Sequence, residues 1–182
     1  HKYSVEDYYS IDPQFGTMED FENLAAECQK RGIKLLIDLV MNHSSRYHPW
    51  FESAAKSLRQ QPCGAPEDGE CLSETLCPVH NKYVGYYYFA DEKPAGSSAW
   101  YPTGNKWYQA VFSENMPELQ LDNPDVRAEF EDIARFWLEK GIGGFRLDAV
   151  KEYFTGDPDK NVEVLNWFCD YCRSIKPDCY VV

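Results

Sequence analysis

The chain has little positive charge for its length. Its 18 lysines and arginines stand against 30 aspartates and glutamates, which gives a formal net charge of -12 at pH 7. A protein this acidic is repelled by phosphate backbones and by anionic lipids. The composition therefore argues against nucleic acid as a partner and against binding to an anionic membrane surface.

Long apolar runs, an initiator methionine and a glycine-rich phosphate loop are also missing. No run approaches the roughly 20 apolar residues of a membrane-spanning helix, so we expect no membrane segment in this chain. Neither Met nor a signal-peptide pattern stands at His1, and we interpret the chain as part of a longer protein. We favour an extracellular or cell-surface location over a cytoplasmic one. Without a phosphate loop, a barrel enzyme with phosphate chemistry is not indicated.

Cysteine is not scarce, but its count of seven is odd, so at least one is unpaired within the chain. Cys63, Cys71 and Cys77 cluster in a loop-like region near His80, with the spacing C-x7-C-x5-C-x2-H. This spacing matches no common zinc motif, so a zinc ion, one disulfide and free thiols all stay open. The remaining four lie in patterned segments and are expected to be core or half-buried thiols: Cys28, Cys169, Cys172 and Cys179.

The apolar pattern predicts helices that alternate with strands. Helices are expected over residues 17–31, 124–140 and 161–175, where apolar residues recur every three to four positions. Thr17 and Asn123 are suitable caps for the first two. Strands are expected in the apolar run 33–41, in GGFRLDAV (143–150) and in CYVV (179–182). Alternation of this kind predicts an α/β fold with a parallel sheet and crossover helices.

One connection is far too long for such a fold. Strand-to-helix loops usually have about 2–6 residues, whereas the stretch from Ser44 to Leu121 contains Pro, Gly, Cys and Tyr in abundance and no long helix pattern. We interpret it as a small inserted subdomain. Two of its segments, YVGYYYF and GNKWYQAVF, are expected to be short aromatic strands.

Two opposite charges stand in the apolar strand GGFRLDAV. Arg146 and Asp148 are two positions apart, so their side chains point to the same side of the strand. Ligands of parallel α/β folds bind beyond the carboxyl ends of the strands, and an Asp beside an Arg is held ionised. Such a carboxylate can act as a nucleophile or stabilise a cation; a structural ion pair is the alternative. We expect Asp38, inside the first apolar run, to be a partner for a neighbouring polar group.

Several segments resemble one family of enzymes. LLIDLVMNHSS and GFRLDAVKE resemble two signature regions of the α-amylase family of glycoside hydrolases. HKYSVEDYYSIDPQFGTMEDF resembles its segment after the second barrel strand, and MPELQLDNPDVR a motif near the end of its inserted domain B. The resemblance covers nearly the whole chain, apart from about residues 58–106. It implies part of a (β/α)8 TIM barrel, about strands 3 to 5 with helices 2 to 4, and a domain B after strand 3.

The implied boundaries follow from these motifs. Residues 1–43 would be a barrel segment, residues 44–121 the inserted domain B, and residues 122–182 a second barrel segment. The aromatic residues of the insertion have two interpretations, outer platforms for sugar rings or the insertion's own small core, and we favour the core. These residues are Trp50, Tyr86, Tyr87, Trp100 and Trp107.

The resemblance also implies catalytic roles. Asp148 matches the nucleophile of a retaining mechanism, and Arg146 matches the arginine that orients and ionises it. The family's general acid, a glutamate after the fifth strand, has no counterpart within this chain, and so we expect the 182 residues alone to be inactive.

Substrate contacts are implied for five further residues. Tyr3 matches an aromatic that stacks on the sugar, His1 a histidine beside it, and His43 a histidine that hydrogen-bonds the sugar at the cleavage subsite. From the residues alone, a buried structural histidine is as reasonable for His43. Lys151 matches a lysine on the leaving-group side. Glu152 stands where many amylases have histidine and some relatives acting on smaller dextrins have glutamate.

Calcium is the one cofactor that the resemblance implies. Asn42 matches an asparagine that binds calcium in many members of the family. Two departures weaken the expectation, because Gln120 stands where calcium-dependent amylases have a ligand Asp, and Glu152 replaces a histidine whose carbonyl serves the same ion.

The predicted function is hydrolysis of α-1,4-glucosidic bonds in starch or maltodextrins, with an α-glucan oligosaccharide or polysaccharide as partner. Ala149 supports this linkage, because a small residue after the nucleophile accompanies α-1,4 cleavage in the family and Val accompanies α-1,6 cleavage. A 4-α-glucanotransferase and an α-1,6-glucosidase or neopullulanase-like enzyme are the alternatives. Another is a non-catalytic amylase-like partner, such as a transporter heavy chain.

Overall fold

The computed structural model describes residues 2–182, which form two compact units. The insert unit comprises the residues up to Glu6 and His43–Val126, and the parallel-sheet unit comprises Asp7–Asn42 and Arg127–Val182. Short 3-10 helices lie at Glu74–Leu76 and Lys82–Tyr86. The other elements, in chain order, are α1 (Met18–Lys30), β1 (Leu36–Leu39), α2 (Pro49–Ser57), β2 (Phe89–Ala90), β3 (Trp100–Thr103), β4 (Lys106–Gln109), α3 (Pro124–Glu139), β5 (Gly144–Leu147), α4 (Pro158–Ile175) and β6 (Tyr180–Val181).

The ends of the helices follow local side-chain chemistry. Thr17 and Asp20 form a capping box at the start of α1, in which each side chain accepts a backbone N–H of the other residue. Asn123 caps α3 by accepting the N–H of Asp125 at 2.8 Å. The prediction for α4 was wrong by three residues, because Asp157 caps it and Pro158 occupies its first turn.

The sheet of the parallel-sheet unit has the order β1-β5-β6, and both pairings are parallel. This confirms the predicted parallel sheet. The expected apolar stripe of α3 is buried, and the Trp137 indole N–H donates to the Tyr8 carbonyl at 2.7 Å. The apolar residues that recur along α1 are not all buried, because Leu24 is 51% exposed.

Gly144 allows β6 to approach β5. Its φ is +150°, and a Cβ placed there would lie 1.8 Å from the carbonyl oxygen of Tyr180, its partner across the sheet. Any side chain would therefore collide with the backbone of β6.

The insert unit has a core of aromatic side chains around α2 and the antiparallel sheet β2-β4-β3. Trp50, Tyr86 and Tyr87 are buried, as expected for core residues, while Trp100 and Trp107 are half-buried. GNKWYQAVF contains β4 as predicted. YVGYYYF was predicted wrongly as a strand, because most of it forms a 3-10 helix that Asn81 caps.

No helix within residues 2–182 is long and apolar enough to cross a membrane.

Candidate active site

The register of β1 against β5 brings the first group of polar side chains together. Asp38 is the direct partner of Arg146 across the parallel pair, and Asp148 follows Arg146 by two positions. Side chains two positions apart lie on the same face of a strand. Asp38, Arg146 and Asp148 therefore meet on one face of the sheet, opposite to the buried Phe145. We call these three residues the Asp–Arg–Asp cluster.

Arg146 joins the two carboxylates with a single nitrogen. Its Nη1 donates to Asp148 Oδ1 at 2.6 Å and to Asp38 Oδ1 at 2.8 Å. Two hydrogen bonds raise the pKa of Arg146 above its ordinary value; the one to Asp38 has the larger effect and the one to Asp148 the smaller. The expectation that Asp38 serves a neighbouring polar group is confirmed by this contact. The arrangement carries one net negative charge and fixes Asp148 by one of its two oxygens.

The backbone around Asp148 is fixed as well. Its N–H donates to the carbonyl of Leu39, the last residue of β1, at 3.2 Å, which extends the pairing one residue past the end of β5. Ala149 follows with φ +54°, and among residues 2–182 it is the only residue other than glycine with a positive φ. Such a conformation costs of order 1–2 kcal/mol and persists only where the surroundings enforce it. Asp148 thus sits between a strand and a strained turn.

Lys151 and Glu152 lie in the segment that leaves this turn. Lys151 is exposed, and its carbonyl accepts a hydrogen bond from the Asn161 side chain at 3.1 Å. The half-buried Glu152 accepts from the Thr155 hydroxyl at 2.9 Å. Both side chains belong to the parallel-sheet unit, and their sugar contacts stay predictions.

Tyr153 is a residue that the sequence did not single out. It is 4% exposed, and within residues 2–182 its hydroxyl is a buried polar atom that lacks a hydrogen-bond partner. Burial raises its pKa, and the negative charge of Asp148 raises it further. No pattern marks Tyr153 in the sequence, because its position depends on the turn that begins at Ala149.

The second group of side chains lies in the insert unit. His43 is 2% exposed, and its Nε2 lies 3.1 Å from the carbonyl oxygen of Tyr3. Its ring lies 5.4 Å, centroid to centroid, from the ring of Phe112, which is 50% exposed. The Tyr3 side chain is 37% exposed. The structure therefore brings His43 and Tyr3, two of the five predicted sugar-binding residues, together, while His1 lies outside the described residues.

The donor set fits calcium poorly. Calcium prefers six to eight oxygen ligands that include carboxylates. Asn42, which is buried, offers a neutral amide, and Gln120 donates its amide N–H to the Tyr87 carbonyl at 2.7 Å. Calcium at Asn42 therefore stays a prediction, and no chemical step below depends on it.

Comparisons with known proteins agree on one family. The family model that describes the catalytic domain of alpha amylase matches residues 1–174. The chain is 43% identical to Alpha-amylase 3 of Dictyoglomus thermophilum over its full length, which covers 32% of that protein. It is also 40% identical to the human amino acid transporter heavy chain SLC3A1, over 82% of the chain and 21% of that protein.

The solved structures lead to the same result. Amy13B of Eubacterium rectale superposes on the chain with a TM-score of 0.83 and 35% identity, over 100% of the chain and 33% of Amy13B. The chain thus spans at most about a third of the length of these three proteins.

Proposed function

Because the chain belongs to the alpha-amylase family of glycoside hydrolases, we propose that the whole protein cleaves α-1,4-glucosidic bonds of starch or maltodextrins with retention of configuration. The predicted fold class is confirmed: the chain is an α/β segment of a TIM barrel with an antiparallel sheet in its insertion. The observation that carries the proposal is the 2.6 Å hydrogen bond from Arg146 to Asp148 at the carboxyl end of β5.

The proposed mechanism assigns one carboxylate of a retaining pair to this chain. Retaining glycosidases use two carboxyl groups about 5–5.5 Å apart, one as nucleophile and one as general acid. Arg146 binds Oδ1 of Asp148, and we assign the attack on the sugar carbon to Oδ2. A guanidinium favours the charged form of a carboxylate, which is the form that a nucleophile needs. Asp38 contacts the same nitrogen of Arg146 and acts as a positioning residue.

The general acid is assigned to a part of the protein outside these 182 residues. In the proposal, Asp148 is the nucleophile and Asp38 accepts a hydrogen bond from Arg146 as a positioning residue, so neither carboxylate is assigned the role of proton donor. We therefore propose that the 182 residues alone do not turn over substrate. Sugar contacts of Tyr3, His1, His43, Lys151 and Glu152 are part of the proposal.

The α-1,4 preference is supported by Ala149. Its methyl group is small, and its position directly after Asp148 lies close to the bond that is cleaved in this proposal. A 4-α-glucanotransferase would use the same nucleophile, because only the acceptor of the second step differs. An α-1,6-specific enzyme is the other alternative within the family.

A non-catalytic partner protein is the second candidate function. The similarity to the amino acid transporter heavy chain SLC3A1 favours it. The paired Arg146 and Asp148 favour an enzyme instead, because they lie at the carboxyl end of a strand, where barrel enzymes place their catalytic residues.

The decisive experiment uses the full-length protein with maltooligosaccharides and Asp148→Asn. We expect the variant to lose several orders of magnitude in kcat while it still binds substrate. The matched control, Asp159→Asn, changes an exposed aspartate in the first turn of α4 and should leave kcat unaltered. Nuclear magnetic resonance of the first product should show the α-anomer. Near-normal turnover by Asp148→Asn, or an inactive wild-type protein, would refute the proposal.

A further inference from the structure

Four metal-ligating side chains of the insert unit converge outside the candidate active site. Cys63, Cys71, Cys77 and His80 each contribute one ligand atom, and these four atoms all lie within 4.8 Å of one another. We call them the thiol–histidine cluster. They lie in a stretch whose regular structure between the end of α2 and His80 is one short 3-10 helix, Glu74–Leu76.

The distances fit a tetrahedral metal ion. Sγ of Cys63 lies 3.4 Å and Sγ of Cys77 lies 3.3 Å from Nδ1 of His80. A zinc ion with Zn–S near 2.3 Å and Zn–N near 2.0–2.1 Å would separate sulfur from nitrogen by about 3.6 Å in a tetrahedron. A disulfide would use two of the three sulfurs and leave the histidine without a role.

The imidazole is oriented for ligation by its second nitrogen. Nε2 of His80 lies 2.9 Å from the carbonyl oxygen of Pro66. A carbonyl oxygen can only accept, so Nε2 carries the proton and the lone pair of Nδ1 points toward the sulfurs. Metal-binding histidines almost always donate their other N–H to a carbonyl or carboxylate in this way.

The backbone of the loop holds these groups in place. The Pro66 carbonyl also accepts the N–H of Gly69 at 2.9 Å, which closes a turn. A Cβ at Gly69 would lie 3.0 Å from that same oxygen, so the turn favours glycine. Cys77 follows the 3-10 helix and donates its N–H to the Ser73 carbonyl at 2.9 Å.

The loop is anchored to the rest of the insert unit next to His80. The amide of Asn81, which is 5% exposed, donates to the hydroxyl of Ser53 at 3.0 Å and to that of Ser57 at 3.2 Å, both in α2. The same amide donates to the carbonyl of Thr75 at 3.1 Å. The cluster therefore lies in a long irregular loop whose end is hydrogen-bonded to α2. Because such a loop has little regular structure of its own, a bound metal would stabilise its folded conformation.

We propose that Cys63, Cys71, Cys77 and His80 bind one zinc ion, which holds the loop between α2 and His80 in its fold. Three sulfurs and one nitrogen in tetrahedral reach are typical of zinc. Four protein ligands leave no open position for water or substrate, so the ion is structural and takes no part in catalysis. The site is independent of the proposed glycosidase activity.

The test uses the full-length protein, purified under reducing conditions. We expect one equivalent of zinc per chain by elemental analysis. Exchange with cobalt(II) should give visible d–d bands of tetrahedral cobalt and a near-ultraviolet thiolate charge-transfer band. Cys71→Ser and His80→Gln should lose the zinc on dialysis against a mild chelator. The matched control, Cys169→Ser, removes a half-buried thiol in α4 and should keep the full equivalent.

Two results would overturn the inference. One is a reduced wild-type protein that holds no zinc and shows no cobalt bands after reconstitution. The other is a disulfide between two of the three clustered cysteines, found by peptide mapping of a separate preparation that is isolated without reductant. Should the variants fail to fold, the cobalt spectrum of the wild-type protein still decides. Limited proteolysis gives a separate readout: a strong chelator should expose residues 58–80 to cleavage in the wild type.

Discussion

The substitution Gly144→Ala tests how closely β6 must approach β5. A Cβ at this position would lie 1.8 Å from the Tyr180 carbonyl oxygen, so the two strands must separate. Three backbone hydrogen bonds surround the contact: Tyr180 N–H to Gly143, Val182 N–H to Phe145 and Leu147 N–H to Val182. All are 2.7–3.0 Å long.

The expected cost has two parts. Three hydrogen bonds at about 0.5–1.5 kcal/mol each amount to about 1.5–4.5 kcal/mol. The φ of +150° at Gly144, which residues with a Cβ rarely adopt, adds about 1–3 kcal/mol. The control Gly156→Ala also has a positive φ, at +83°, but has no atom within 4 Å of the added carbon. It should cost only the backbone part, about 1–2 kcal/mol for this φ.

Amide hydrogen exchange in the full-length protein measures the difference where it arises. A loss of about 3 kcal/mol corresponds to roughly 100-fold faster exchange, and we expect it at the amides of Tyr180 and Val182 in Gly144→Ala. Urea unfolding gives the global comparison between the two variants. Equal destabilisation by Gly144→Ala and Gly156→Ala would refute the close approach of the strands.

Two further predictions concern buried and charged groups. Tyr153→Phe should leave the free energy of unfolding unchanged or raise it by up to about 1 kcal/mol, whereas Tyr87→Phe, which loses its 2.7 Å contact with a serine hydroxyl, should lower it by about 1 kcal/mol. Equal losses in the two would show that the Tyr153 hydroxyl has a partner. Hydrogen bonds from Lys176 and Lys34 lower the pKa of Asp178 from 3.8 to about 2. Because the pKa of Asp178 is lower in the folded state, its ion pairs stabilise the fold above pH 3.8, and this stabilisation is lost as the pH falls toward 2. Asp178→Asn should therefore make the free energy of unfolding depend less on pH in that window. An unaltered acid unfolding profile would contradict this.

The sequence predicted the elements whose signals are local. The Thr17 cap of α1 and the Asn123–Pro124 start of α3 depend on neighbouring residues, and both were found as expected. The parallel sheet was predicted from the order of helices and strands, which can be read along the chain without knowledge of any contact.

Errors arose where two local signals competed. For α4 the apolar stripe suggested Asn161 as the start, but Asp157 and Pro158 give a better cap and first residue. Asn161 is instead buried, and its side chain accepts the N–H of Phe154 at 2.8 Å. In the insertion, α2 was not predicted, because its start depends on His48, an unusual cap whose Nδ1 accepts the N–H of Trp50.

The Asp–Arg–Asp cluster shows which side-chain contacts a sequence pattern can predict and which it cannot. The two-residue spacing of Arg146 and Asp148 predicted that they share a face. The hydrogen bond from Arg146 to Asp38 depends on the alignment of β1 with β5, which no spacing within either strand encodes. The contact of Cys63 with His80 is similar, because 17 positions of irregular chain separate the two residues.

The alignment of Asp38 with Arg146 also bears on how the sheet assembles. A slip of one residue between β1 and β5 would turn every side chain to the opposite face. Arg146 would then exchange places with Phe145, which is fully buried, and a guanidinium would be left in the apolar layer without a counter-ion. The side chains proposed for catalysis therefore also favour the correct alignment of β1 with β5, because a shifted alignment would bury one of their charges without its partner.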